Sequence, residues 1–236
     1  MGKIFGNRLI KKEKLANLKI EFIYGGSFDP LHKGHVNLVE RVVENIKKLT
    51  KDTNHNISFR FLPCATPALK KASVNDFSFR SKQLQKVFKN YFLNQNIKML
   101  VDEREGVRSS KDGEKSYTID SLKELSYEAI SNKNIANNRF LIVGADNFNS
   151  LHRWNSYREL SSLCNLLLVN RAGESLHGWV EKAENYGFTV NQEINQLLNT
   201  KIAGQCYYME ISEVDISSTE IREKIEANQP VDDWLI

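Results

Sequence analysis

Short apolar runs and amphipathic runs alternate along this chain, and that alternation restricts the fold more than any other feature. Ile20–Tyr24, Ile57–Leu62, Ile97–Val101, Phe140–Val143 and Leu166–Val169 are short and largely apolar, as strands covered on both faces must be. Helical patterns follow at Gly34–Leu49, Phe79–Phe92, Tyr117–Ala129 and Tyr157–Leu163, with further helices expected at Trp179–Tyr186 and Ser218–Glu226. In Gly34–Leu49 the side chains of Val36, Leu38, Val39, Val42, Val43 and Ile46 make one apolar stripe. Repeated β-α units with right-handed crossovers predict an α/β fold, a doubly wound parallel sheet of Rossmann type. No Gly/Ser-rich linker divides the chain, so residues 19–236 read as one domain. The polar segments Lys51–Asn56, Gly106–Lys115 and Ser131–Asn138 read as surface loops.

Charge separates the ends of the chain. The net charge is +4, yet residues 1–20 hold six basic side chains against Glu13 alone, so the remainder carries about −1. Residues 1–18 therefore read as a basic extension on a nearly neutral body, which argues against a nucleic-acid partner. No apolar run approaches the ~20 residues that span a bilayer, and no membrane partner is expected. Cys64, Cys164 and Cys206 are odd in number, far apart and without a CxxC pair. That pattern suits reduced thiols, and with no signal-like N-terminus the expected location is the cytoplasm.

In a doubly wound sheet, ligands bind beyond the carboxyl ends of the strands. The residues found there are informative. Gly25-Gly-Ser-Phe-Asp-Pro-Leu-His-Lys-Gly-His35 follows the first strand. Its paired glycines let backbone approach a ligand, and Pro30 gives up no donor at a loop-to-helix junction. His32 and His35 are three apart, so on a helix both rings project from one face of the first turn. A helix start with histidines suits an anion, phosphate above all. A satisfied structural pair and a zinc site are the competing readings. Zinc needs three or four close ligands, and His55, His152 and His177 stand isolated, so no metal ligands are assigned. Near the other end, Ser217, Ser218 and Thr219 can cap a helix that carries Arg222 one turn in, a second phosphate cradle. The alternative is an ordinary capped helix with Arg222 paired to Glu226. No GxGxxG, Walker or GxSxG pattern is present.

The first segment resembles the GG[ST]FDPxHxGH signature of the HxGH nucleotidyltransferase superfamily, and Ile216-Ser-Ser-Thr-Glu-Ile-Arg222 resembles its ISSTxIR partner. Asp102-Glu-Arg-Glu105, Ser116-Tyr-Thr118 with Leu122-Lys-Glu-Leu125, and Val143-Gly-Ala-Asp146 followed by Trp154 are similar to the bacterial nicotinate-nucleotide adenylyltransferases. The resemblance runs from about residue 19 to 233. It implies transfer of adenylyl from ATP to nicotinate mononucleotide, giving deamido-NAD and pyrophosphate, with Mg²⁺ carried on the ATP phosphates. It further implies catalytic roles for His32, His35 and Arg222 on those phosphates, Arg222 acting with Ser217 and Ser218. Gly25, Gly26, Ser27 and Phe28 would line the nucleotide cleft, and Gly144, Asp146 and Arg171 would bound the adenosine side. Thr118, through its backbone, and Trp154, by stacking, would hold the acceptor's pyridine ring, with Asn155 and Lys70 nearby. Leu69 stands where the family often has histidine, Asn155 where it has an aromatic residue, and the tail after Trp234 is short. These departures are expected to bear on the acceptor pocket more than on ATP. A relative acting on another phosphate monoester such as nicotinamide mononucleotide, and a nucleotide-binding regulator without catalysis, are the alternatives.

Overall fold

A computed structural model describes residues 19–50, 56–69, 73–91, 97–112, 115–131, 137–171, 176–192, 194–199, 203–212 and 217–236. The basic extension over residues 1–18 lies outside them, as do Lys70 and most of the loops expected near residues 51–56 and 131–138. The strands are β1 (Lys19–Gly26), β2 (Asn56–Pro63), β3 (Lys98–Val101), β4 (Asn137–Gly144), β5 (Asn165–Arg171), β6 (Thr189–Asn191) and β7 (Gln205–Ile211). The helices are α1 (Lys33–Thr50), α2 (Phe77–Tyr91), α3 (Arg104–Asp112), α4 (Thr118–Ser131), α5 (Ala145–Asn149), α6 (Leu160–Leu163), α7 (Trp179–Asn185) and α8 (Ser218–Glu226). All seven strands are parallel, in the order β3-β2-β1-β4-β5-β7-β6. This is the doubly wound sheet that the alternation predicts.

The two faces of the sheet are covered differently. On one, Phe22 stacks between Phe59 and Phe140 with ring centroids 5.0 and 5.4 Å away, joining β2, β1 and β4. The α1 stripe predicted from sequence is buried against this face. On the other face, Ile23, Leu62, Leu141 and Val143 pack with Ile119, Leu122 and Leu125 of α4. Glu21 lies on that second face directly opposite Arg139, and its carboxylate takes bonds from Arg139 Nε (3.2 Å) and Arg60 Nε (2.8 Å). The same three central strands are thus pinned by rings on one side and charges on the other.

Strand order reverses between β1 and β4, and there the sheet opens. β1 stays paired with β2 up to Gly26↔Pro63, but its pairing with β4 ends at Tyr24↔Ile142. β4 continues with β5 to Gly144↔Val169. Above Tyr24 the sheet is therefore a fork, one prong ending in Gly25-Gly26 and the other in Val143-Gly144.

The segment Gly106–Lys115, expected as a loop, is helical over most of its length, in α3. Its charged, glycine-containing sequence carries no apolar stripe, and tertiary contact decides its structure. A Cβ on Gly106 would overlap the Phe77 ring of α2, so glycine here lets that ring lie directly against α3.

Candidate active site

Both sequence motifs meet at the β1 prong of the fork. His32 does not belong to the helix, contrary to the spacing argument: it precedes α1 and forms an isolated antiparallel bridge with Leu235. The two rings nonetheless come together, with centroids 3.8 Å apart, because His35 Nδ1 accepts the backbone N–H of His32 at 3.3 Å. That bond occupies Nδ1 and leaves the proton of a neutral His35 on Nε2, as a donor. His32 is only 4% exposed, its Nε2 lies 3.1 Å from Ser218 Oγ, and its Nδ1 is buried without a hydrogen-bond partner among the described residues. Burial, helped by the nearby Arg222 guanidinium, pulls the His32 pKa down from 6.5 to about 4, so its ring is neutral at pH 7.

The capping expected at the start of α8 is present: Ser217 Oγ accepts the Glu220 N–H at 3.1 Å. Arg222 turns away from Glu226 and instead donates to the carbonyl of Asp29 (2.5 Å) and to Thr219 Oγ1 (3.1 Å). Asp29, 1% exposed, receives the Val74 and Asn75 N–H groups on its carboxylate. The ends of the two motifs are therefore joined by His32–Ser218 and Arg222–Asp29.

Beside this junction lies a cleft of about 740 Å³, floored by Gly25, Gly26 and Ser27 and walled by Thr118, Asp146, Trp154 and Asn155. Thr118 opens α4, and Trp154 packs partly on the second core. Cβ atoms built on Gly25 or Gly144 meet almost nothing, the nearest atom to Gly25 being the Leu62 carbonyl oxygen at 4.0 Å. The protein's own packing therefore does not require glycine at either position. Gly26 differs, since a Cβ there would press on the Phe28 ring at 3.3 Å. Phe28, expected to line the cleft, is fully buried beneath it and packs against Tyr24 and His35. Its backbone sits at φ +49°, a left-handed conformation that costs about 1 kcal/mol and that the ring's burial offsets. The side chains of Lys70 and Arg171 lie outside the described residues.

Residues 23–224 match the cytidylyltransferase-like family model. A probable nicotinate-nucleotide adenylyltransferase from Geobacter sp. strain M21 is 31% identical over 212 residues, covering 89% of this chain and 88% of that protein. The chain belongs to this family. A second relative of the same name, from Fusobacterium nucleatum, is 31% identical over 89% of each chain. The fold is shared with Plasmodium falciparum nicotinic acid mononucleotide adenylyltransferase complexed with NaAD, at TM-score 0.59 and 18% identity, over 92% of this chain and 90% of that one.

This member of the nicotinate-nucleotide adenylyltransferases holds its cleft together with buried charged residues outside its two main motifs. Arg80, 1% exposed, donates to the carbonyls of Ser27 (2.5 Å), Cys64 (2.8 Å) and Asn75 (3.1 Å), so one guanidinium fastens the loops after β1 and β2 and the start of α2. Burial lowers its pKa, without making it titrate at any ordinary pH. Glu105, 4% exposed, accepts from Ser121 Oγ at 3.2 Å, and burial raises its carboxyl pKa against the opposing pull of Arg108. Lys115 and Arg153 add two cations to the cleft wall. The one signal for Arg80 in the sequence is an arginine set among aromatic residues, Phe77-Ser-Phe-Arg80.

The C-terminal tail lies along the start of α1. Trp234 O accepts the Lys33 N–H at 2.9 Å, so the first donor of α1 is already engaged and cannot bind an anion. The tail thus abuts the histidines, not the acceptor wall.

Proposed function

We propose that this chain transfers adenylyl from ATP to nicotinate mononucleotide, releasing pyrophosphate and forming deamido-NAD. The observation that carries the reading is the junction of the two motifs, His32 to Ser218 and Arg222 to Asp29, at the fork of the sheet beside the Thr118–Trp154 cleft. An oxygen of the mononucleotide phosphate attacks the α-phosphorus of ATP. A phosphorus–oxygen bond forms there as the bond to the β-phosphate breaks, and the electron pair leaves on pyrophosphate. Little covalent help is needed, so positioning and charge neutralisation dominate.

In this reading His35 donates from Nε2 to a phosphate oxygen, and His32 exchanges its Ser218 contact for another. Arg222 and the start of α8, with Ser217 and Ser218, hold the departing β/γ end. Gly25, Gly26 and Ser27 admit the nucleotide to the β1 prong, and Gly144, Asp146 and Arg171 bound the adenosine on the other. The amino end of α4 at Thr118 suits the acceptor's ring carboxylate, and Trp154 stacks on the ring, with Asn155 and Lys70 at the rim. Mg²⁺ enters as part of the nucleotide substrate, ligated by its phosphates and water. No described helix is long and apolar enough to cross a membrane, and we place the enzyme in the cytoplasm.

Pyrophosphate release with ATP and either nicotinate or nicotinamide mononucleotide tests the acceptor. The acid should be preferred at least about tenfold in kcat/KM, as one good charge–dipole contact allows. Faster turnover of the amide, or of another phosphate monoester, would overturn it.

A further inference from the structure

The contacts that join the start of α1 to α8 are made by groups with another task. If His32 and Arg222 hold triphosphate oxygens, as proposed above, His32 Nε2 gives up Ser218, and the Arg222 guanidinium shares its donors between phosphate and the Asp29 carbonyl. Bonds these side chains make to phosphate then compete with the bonds between the two cradles. A third connection uses neither side chain. Trp234 accepts the Lys33 N–H at 2.9 Å through its carbonyl, while its ring lies under Lys224 Nζ of α8 at 4.8 Å from the centroid. On either side of it, Lys33 Nζ donates to the Asp233 carbonyl at 2.5 Å, and Leu235 bridges to His32. The tail is itself folded back, with Trp234 N bonded to the Val231 carbonyl at 3.0 Å.

We propose that Trp234 is a positioning residue for ATP: a strap from the start of α1 to α8 that keeps the two phosphate cradles in register while His32 and Arg222 change partners. It touches no substrate. Its main chain fixes one cradle and its ring fixes the other, so the ring is the part that substitution can remove without disturbing the carbonyl contact. The strap should therefore act on ATP binding and leave the acceptor cleft alone, since no tail residue lines that cleft.

The test measures KM for ATP and for nicotinate mononucleotide separately, in the full-length chain, for Trp234→Ala, Trp234→Phe and Lys224→Met, with the thermal midpoint of each. Loss of one partly exposed cation–π contact corresponds to about fivefold. Trp234→Ala and Lys224→Met should raise the KM for ATP by at least about that factor. The KM for the mononucleotide should stay within about twofold, and Trp234→Phe should recover most of the ATP affinity because its ring remains a cation–π partner. Unchanged ATP dependence in both Trp234→Ala and Lys224→Met overturns the strap, as does an equal rise in both KM values. If Trp234→Ala does not fold, Lys224→Met decides alone. His35→Ala separates the two levels of the argument. Loss of its activity with Trp234→Ala unaffected rejects only the strap, whereas full activity of His35→Ala rejects the phosphate clamp and the strap together.

Discussion

His32 shows how a residue can be legible in identity and illegible in state. Its place in the motif is plain from sequence, but its neutral form follows from burial against His35 and α8, which no local pattern displays. The consequence for stability has a definite sign. The folded-state pKa, about 4, lies below the ordinary 6.5, so between these values the unfolded chain takes up a proton that the folded one refuses. Stability from this group is fully present above pH 6.5 and is lost as pH falls through 4. Urea unfolding of the chain and of His32→Gln should therefore diverge between pH 6.5 and 4, the unsubstituted chain losing up to about 3 kcal/mol more. Superimposable pH profiles would refute the assignment. The same neutrality lets the His32 ring lie 3.8 Å from that of His35, centroid to centroid, without mutual repulsion.

At the scale of elements, the loops that shape the cleft depend on Arg80. Its donors reach backbone carbonyls, which no side-chain substitution elsewhere can replace. Replacing it with methionine strands several buried acceptors and should cost about 3 kcal/mol by urea unfolding. Catalytic efficiency should fall too, because Ser27 and Cys64 line the cleft. Lysine should not rescue, since a point charge cannot serve three carbonyls in different directions. Full stability and activity in Arg80→Lys would contradict this. The strands β1, β2, β4 and β5 could be read from sequence because each is an apolar run between turn residues. β7 could not: Gln205-Cys-Tyr-Tyr-Met-Glu-Ile211 mixes polar and apolar positions, and its pairing with β5 and β6 supplies what its own pattern lacks. α3 was hidden for the opposite reason, since its charges are satisfied by distant partners such as Glu124 and Glu128, which Arg104 reaches at 3.1 and 3.2 Å. The motif residues of the site were legible because chemistry fixes their types. The supports Arg80 and Trp234 were not, because long-range packing fixes theirs.

For the molecule as a whole, the fork between β1 and β4 is a feature of the backbone as much as a cavity. Below Tyr24 the central strands are locked by the Phe59–Phe22–Phe140 stack and by Glu21 between two arginines. Above it, the flank of Gly25-Gly26 that faces β4 has no strand to pair with, while its other flank remains on β2. On the proposed function, a nucleotide lodged there would take the place of missing rungs, offering donors and acceptors where the neighbouring strand has turned away. Binding should then be felt by both prongs at once. Amide hydrogen exchange at Gly25 and Gly26, and at Val143 and Gly144, should slow together when dinucleotide product is bound, and slowing on one prong alone would contradict it. On the proposed function the sheet would in that sense be completed by its substrate, with the nucleotide serving as a rung between its two halves.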